Sequence, residues 1–434
     1  MALSKNPYRG TRDFFPASMR QRNYIFQKLC EVSELFAYEP YDGPLLEEVE
    51  LYLAKSGEEL INEQIYSFTD RGDRKVAIRP EMTPTVARMV SQIHREVSKP
   101  IRWYAIPNLM RYEKPQKGRL REFWQYNADI FGGDEKGDIE IIQLAVEMLR
   151  SFGANDSHFE ILINDRRFVD FVFHTLIGLD EVNTKKLYKL VDKKAKIPAD
   201  KFTSELNEIT KDQTKSQVFE NYLSLQSIES LSAMAGDHPE AQPIIQFLKD
   251  LNLMGLGKYV KFDPTIVRGL DYYTGIVFEI FDKHPDNRRA LAGGGAFANL
   301  LQIFNEMPLA GMGFGMGEVT LTDFLIVHKL MPNFEQPQID LMISYLDQSA
   351  ESTAFQLAMN LRSKGIKTEL FLGETKPKKV FGLTDKKGHE FLIMLGSNEL
   401  STGEIQLKNL KTKEIHKIKL DDVDGLVRQM KGSH

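Results

Sequence analysis

The sequence predicts an α+β fold: a core built on a mainly antiparallel sheet, a helical insert within that core, and a C-terminal α/β domain. Three observations carry this reading. The segments IRWYAIPNLMRY (101–112) and FWQYNADIFG (123–132) alternate or run apolar, as strands of one antiparallel sheet do, with a charged loop 113–121 between them. From about Asp165 to Gly257 the chain becomes rich in lysine and glutamate, with helical spacing and few strand signals. Beyond the polar, proline-bearing stretch PNFEQPQ (332–338) the pattern becomes strand–helix–strand. The expected divisions are 1–164 and 258–331 for the two parts of the core, 165–257 for the insert and 332–434 for the last domain.

In chain order, Met19, Ile25, Phe26, Leu29, Val32, Leu35 and Phe36 recur at three- and four-residue intervals and predict a helix over 19–37, ended by Pro40 and Pro44. Residues 64–70 and 75–79 read as a hairpin around RGDR. A helix over 83–97 opens on Thr83 and Pro84, with proline at a first-turn position and threonine as a candidate cap. Another amphipathic helix is expected over 139–151. After the insert, sheet-like segments resume at 267–281. The cluster AGGGAF follows, and GMGFGMGEVTLTDFLIVHKL reads as a glycine-rich turn leading into a helix. In the last domain, IDLMISYL, STAFQLAMNLRSKG, IKTELFLG and EFLIMLG suggest a small, mainly parallel sheet with helices.

Composition narrows the function. The chain has 434 residues, enough for two or three domains, and its 42% hydrophobic and 27% charged residues are ordinary for a soluble globular protein. No run of 18 or more apolar residues argues for a membrane span, and the charged opening MALSKNPYRGTRDFFP lacks the apolar core of a signal peptide; a cytoplasmic enzyme is the expectation. Cys30 is the single cysteine, which excludes an internal disulfide framework and a CxxC zinc site. His94, His158, His174, His238, His284 and His328 are scattered, with no HExxH spacing. The formal charge of -5 gives nucleic-acid binding no support from net charge but allows a local basic face.

Three clusters could carry chemistry. In the first, Arg111, Arg119 and Arg121 stand among Glu113, Glu122, Gln125 and Asp129. Gln125 and Asp129 are four apart on a strand, so both side chains can enter one cavity. The planar fork of Arg111 suits a phosphate and would stabilise charge developing there. A solvated loop whose arginines pair with Glu113 and Glu122 is the competing reading. In the second, RPEMTP (79–84), Glu81 and Thr83 are ligands for an ammonium group or simply parts of a helix start. In the third, VRGLDYYTGIVFEI (267–280), Arg268 and Asp271 interrupt an apolar run beside Tyr272 and Tyr273. A buried charge needs a partner, either a protein carboxylate or an anionic ligand. The glycines at 293–295 and 311–317 form neither a Walker loop nor a GxGxxG turn, though they permit close approach to a flat ligand.

Taken together, YRGTRDFFP (8–16), IRPEMTP (78–84), RYEKPQKGRLREFWQ (111–125) and VRGLDYYTGIVFE (267–279) resemble the class II aminoacyl-tRNA synthetases, and within them the histidyl-tRNA synthetase family, over nearly the whole chain. The resemblance implies a class II catalytic core and a C-terminal anticodon-binding domain. It implies ATP-dependent activation of L-histidine to histidyl-adenylate, then transfer to the terminal adenosine of histidine tRNA. ATP is a substrate and brings Mg2+; a homodimer is the expected assembly. Carried onto this chain, Arg111 and Arg268 would grip the α-phosphate as catalytic residues. Glu81 and Thr83 would bind the α-amino group, Gln125 the carboxylate or phosphate region, and Asp129, Tyr272 and Tyr273 the imidazole side. Glu113 would lie near the adenine and Gly317 on the ATP side; Gln116, Arg119 and Arg121 would meet the tRNA acceptor end.

The chain departs from the family pattern at several places. Ala296 and Ala298 stand where GGRYDGL has arginine and aspartate, and Gly275 stands where an arginine follows the second tyrosine. Thr320 occupies the position of the arginine that ends the third class II motif and holds the ATP γ-phosphate; Arg288 and Arg289 are nearby cations. Asp129 replaces a glutamate. The alternatives are a synthetase-like regulator, such as the regulatory subunit of ATP phosphoribosyltransferase, or a histidine sensor.

Overall fold

The computed structural model describes residues 3–53, 64–194, 197–267, 272–336, 339–373 and 376–432. Arg268 and Asp271 lie outside them. Two compact units are present: Met1–Asp13 with Gln21–Pro332, and Phe14–Arg20 with Asn333–His434.

The chain opens with α1 (Pro16–Leu35), whose Ile25, Leu29 and Val32 recur at helical spacing and are buried. After β1 (Glu39–Pro40), strands β2 (Leu46–Glu48), β3 (Tyr66–Thr69) and β4 (Lys75–Ile78) form a three-stranded sheet in the order β2–β4–β3, with α2 (Val49–Leu53) after β2. The β3–β4 pair is the expected hairpin. Helix α3 (Thr83–Ile93) follows. Its N-cap is Met82, with no side-chain cap bond, so Thr83 does not cap the helix; it is the first helical residue, ahead of Pro84. Then come β5 (Ile101–Ala105), β6 (Asn108–Met110), β7 (Glu122–Phe131) and α4 (Asp134–Ser151). Helix α4 begins five residues earlier than its apolar pattern suggested. Asp134 and Glu135 fill its first turn and Arg150 its last, favourable against the helix dipole.

After β8 (Phe159–Asp165) the lysine- and glutamate-rich stretch is helical: α5 (Arg166–Asp170), α6 (Glu181–Lys193), α7 (Ala199–Thr210), α8 (Gln213–Leu223), α9 (Ile228–Ala235) and α10 (Gln242–Leu253). Short polar side chains start several of these helices. Asp180 accepts from the Asn183 amide, Asp212 from those of Thr214 and Lys215, and Ser227 forms a capping box with Ser230. The apolar faces do not form a core of their own: Leu187, Phe219, Tyr222 and Ile244 belong to one buried cluster with Ile161, Ile163 and Phe278 of the sheet.

The core resumes with β9 (Val260–Phe262), β10 (Ile276–Asp282), β11 (Ala290–Phe297), β12 (Gly311–Gly317) and α11 (Glu318–Val327). The main sheet runs β1–β5–β7–β12–β11–β10–β8–β9, with β6 also paired to β7. The β1–β5 and β8–β9 pairs are parallel and the rest antiparallel. The expected glycine-rich turn is therefore a strand: 311–317 pairs along its whole length with β7, and 311–316 with β11.

In the second unit, β13 (Leu341–Tyr345), α12 (Glu351–Ser363), β14 (Thr368–Leu370), α13 (Pro377–Lys387), β15 (Phe391–Leu395), α14 (Ser397–Thr402), β16 (Glu404–Asn409), β17 (Ile415–Lys419) and α15 (Val423–Lys431) build a five-stranded sheet in the order β14–β13–β15–β16–β17. Its first two pairings are parallel and its last two antiparallel, so it is mixed rather than mainly parallel. The parallel strands are covered by α12 through Ala354, Leu357, Ala358 and Leu361, within one apolar cluster that also takes in Leu426 of α15.

Candidate active site

Strand alternation sets the site. On β7, Tyr126, Ala128 and Ile130 enter the large core beside α4, whereas Phe131 joins a second cluster with Val86, Tyr272, Tyr273 and Val277. Gln125, Asn127 and Asp129 share Phe131's parity and face that second side. Opposite Asp129 and Gln125 in register stand Gly313 and Gly317 of β12, and Gly313 in turn pairs with Gly295 of β11.

The glycines are cut away to fit these side chains. A Cβ at Gly313 would stand 2.1 Å from Asp129 Oδ1, one at Gly315 2.7 Å from Gln125 Cδ, and one at Gly295 2.7 Å from Tyr273 Cδ1. No carbon can occupy those positions without moving a polar site residue. The result is a flat backbone floor between Asp129 and Gln125 on one side and Tyr273 on the other.

Beside that floor, Tyr272 is buried, its ring 4.7 Å from that of Tyr273. Its hydroxyl lies 3.4 Å from both Glu81 Oε2 and Thr83 Oγ1. Burial, then the neighbouring Tyr273 and Glu81, push its pKa well above the usual phenol range, so it is a donor at neutral pH. Glu81 is itself buried. Arg111 donates from Nε to the Pro80 carbonyl at 2.8 Å and lies over the Phe123 ring, which ties it to the same turn. Asp129 is buried deeply enough that burial alone lifts its pKa to about 7.

The charged loop holds the remaining candidate residues. Gln116 and Arg119 close its tip with paired backbone bonds, and Gly118 there has φ of +72°. Arg119 Nε lies 2.5 Å from Oε2 of the buried Glu113. Arg121 is engaged at the loop's base: it donates to the Glu113 carbonyl and the Tyr8 hydroxyl, and its guanidinium covers the Tyr112 ring. The opening segment is held a second time where Arg12 makes two hydrogen bonds to the buried carboxylate of Glu318, just after Gly317.

Thus Glu81, Thr83, Tyr272 and Tyr273 meet, as do Gln125, Asp129 and the β11–β12 glycines. Arg268 lies outside the described residues. Two side chains were missed. Asn127 is buried between Gln125 and Asp129, a position that i, i+2 counting along β7 already marks. Tyr41 has a buried hydroxyl without a hydrogen-bond partner among the described residues, and Asp129 helps raise its pKa; no sequence spacing links the two.

The departures at Gly275 and Ala296 meet each other. A Cβ on Gly275 would lie 3.3 Å from that of Ala296 and 3.7 Å from Nη2 of Arg167. Arg167 forks onto buried Asp165, so a guanidinium from another part of the chain already occupies this corner.

A family model described as histidyl-tRNA synthetase matches residues 10–319, and one described as an anticodon binding domain matches 340–430. The chain is 41% identical over 414 residues to the histidine–tRNA ligase of Leptospira biflexa, covering 95% of this chain and 94% of that one. It is 35% identical over 425 residues to the chloroplastic/mitochondrial histidine–tRNA ligase of Arabidopsis thaliana, covering 97% and 86%. Its fold is similar to the crystal structure of histidyl-tRNA synthetase from Nostoc sp. PCC 7120, with a TM-score of 0.81 at 20% identity over 99% of this chain and 100% of that one. With a family model spanning most of its length and relatives matched nearly end to end, the chain belongs to the histidyl-tRNA synthetase family.

Proposed function

We propose that this chain is a histidine–tRNA ligase that activates L-histidine with ATP and transfers it to the 3'-terminal adenosine of histidine tRNA. The observation that carries this reading is the meeting of Glu81, Thr83 and Tyr272 beside a glycine floor flanked by Asp129 and Tyr273. A carboxylate and a threonine hydroxyl accept the α-ammonium hydrogens. Asp129, with Tyr273 across the floor, takes the imidazole. A carboxyl with a pKa of about 7 can donate to or accept from a ring nitrogen near neutral pH. Apolar amino acids would leave these buried polar groups unpaired, which is the strong form of discrimination.

In activation, a histidine carboxylate oxygen attacks the α-phosphorus. The bond from that phosphorus to the oxygen bridging to the β-phosphate breaks, and pyrophosphate leaves with the electron pair. No strong base is needed; alignment and charge neutralisation are. Arg111, and Arg268 beyond the described residues, serve the α-phosphate, and Gln125 the carboxylate. Glu113 lies beside the adenine and Gly317 along the ATP path. Gln116, Arg119 and Arg121 belong to the loop that meets the acceptor end, and the second unit reads the anticodon. Mg2+ enters with the ATP substrate, bound to its phosphates. No described helix is long and apolar enough to cross a membrane; a cytoplasmic homodimer is the proposed form.

The test is ATP–pyrophosphate exchange with each amino acid, followed by charging of histidine tRNA. Histidine-dependent exchange and charging are expected. Histidine binding without exchange would overturn the ligase reading in favour of a sensor.

A further inference from the structure

Loop 113–121 carries a local excess of positive charge that its own residues do not neutralise. Glu113 is paired with Arg119 at 2.5 Å. A third party, Arg289, reaches the same place from the residue before β11. Its Cδ would stand 3.0 Å from a Cβ on Gly118, and Thr320 Cγ2 lies 3.4 Å from that same point. The two segments are joined a second time, by Lys117 Nζ donating to the Asp286 carbonyl at 3.2 Å. Arg289 is half-buried, whereas Arg288 is exposed. Burial and then the charge of Arg119 lower the proton affinity of Arg289, and Glu113 only partly offsets them. Two guanidiniums thus share one carboxylate, and among the described residues Arg289 has no ion-pair partner of its own. Thr320, which sits where the third-motif arginine is expected, turns its hydroxyl back to the Gly317 carbonyl at 3.1 Å and offers only its methyl toward Gly118, so the cation there is that of Arg289.

The surplus cation, Arg289, lies against the loop that follows Arg111 on the β6–β7 hairpin. The Glu113 amide bonds back to the Arg111 carbonyl at 2.8 Å, a tight turn that keeps the loop's cations close to Arg111, as the neighbouring phosphates of one triphosphate require. A guanidinium held half out of water beside another is a poor neighbour for solvent alone and a good one for a bidentate phosphate. We propose that Arg289 binds the terminal phosphates of ATP, and so the departing pyrophosphate, doing from the start of β11 what an arginine at position 320 would do from α11. This assignment rests on the ligase reading for the identity of the nucleotide.

Two variants, Arg289→Ala and Arg289→Lys, test it. The measurements are calorimetric binding of a non-hydrolysable β,γ-imido ATP, of AMP and of histidine, together with the KM for ATP in histidine-dependent exchange. Arg289→Ala should weaken the ATP analogue and raise the KM for ATP about 10- to 100-fold. AMP and histidine binding should stay within about twofold, and lysine should recover part of the loss. Unchanged analogue binding would overturn the assignment, and so would AMP and histidine binding lost in equal measure, the mark of a merely structural role. If the wild type binds the analogue but exchanges nothing, the ligase reading fails while the binding comparison still decides the role of Arg289.

Discussion

The amino-acid side and the ATP side of this site are built on opposite principles. Around Asp129, Tyr272 and Tyr273 the polar groups are buried, with Thr83 and Gln125 half-buried beside them, and their positions are set by backbone: glycines 295, 313 and 315 leave no room for even one carbon. Around Gly118 the cations are exposed or half-exposed, borne on long side chains, and come from two separate segments, Lys117 and Arg119 from 113–121 and Arg289 from the residue before β11. A pocket made of backbone and short side chains tolerates almost no relocation. A polyphosphate site needs cations of the right sign within reach, and a guanidinium from another strand can serve. The difference teaches how position 320 can carry threonine while the pocket keeps a carboxylate at Asp129, one methylene shorter than the family's glutamate.

The largest expected effect belongs to Arg111, proposed above to serve, with Arg268, the α-phosphate at the junction of both sides. Arg111→Ala should slow histidine-dependent exchange about 100- to 1000-fold, or roughly 3–4 kcal/mol of transition-state stabilisation, with histidine affinity by calorimetry almost unchanged. Equal losses in rate and affinity would place Arg111 in the amino-acid pocket instead.

Next comes Asp129. Its pKa is raised on folding, so the folded chain keeps a proton that the unfolded chain has lost. Its contribution to stability therefore falls as pH rises from about 4 to 7 and is level above that, a cost of about 2–4 kcal/mol for the buried carboxylate at pH 8. Asp129→Asn should raise the thermal midpoint of the ligand-free protein at pH 8 and do little at pH 4. A variant equally or more destabilised at pH 8 would mean that the carboxylate is paired rather than merely buried.

Gly313→Ala should cost about 1–3 kcal/mol of stability by overpacking and raise the KM for histidine at least about tenfold by displacing Asp129. The KM for ATP should hold, and a shift in it would join the two sides. The smallest effect is expected at Arg288, which is exposed. Arg288→Ala should leave the KM for ATP within about twofold, and a tenfold rise would move the phosphate contact to the wrong arginine.

Much of this was legible in the sequence because strand alternation carries side-chain direction. Gln125 and Asp129 on one face, the β3–β4 hairpin and the antiparallel pairing of β5 with β7 follow from period-two reading alone. The glycines of 311–317 misled because glycine usually marks a turn of its own chain; here it makes room for side chains on the neighbouring strand, information that sits about 185 residues away. Thr83 had the chemistry of a cap but lies one residue too late, inside the helix, where its hydroxyl meets Tyr272. The choice between Arg288 and Arg289 was invisible because adjacent residues before a strand differ only in the direction each side chain takes. Arg268 lies outside the described residues, so its part in the site stands as a proposal.

The most direct test of the division between the two sides is one set of exchange kinetics in which the KM values for histidine and ATP are measured for Asp129→Asn and Arg289→Ala together with the wild type. A crossed pattern is predicted: Asp129→Asn raises the KM for histidine alone, Arg289→Ala the KM for ATP alone. If either variant raises both to a similar degree, the two halves are not independent and the account is contradicted.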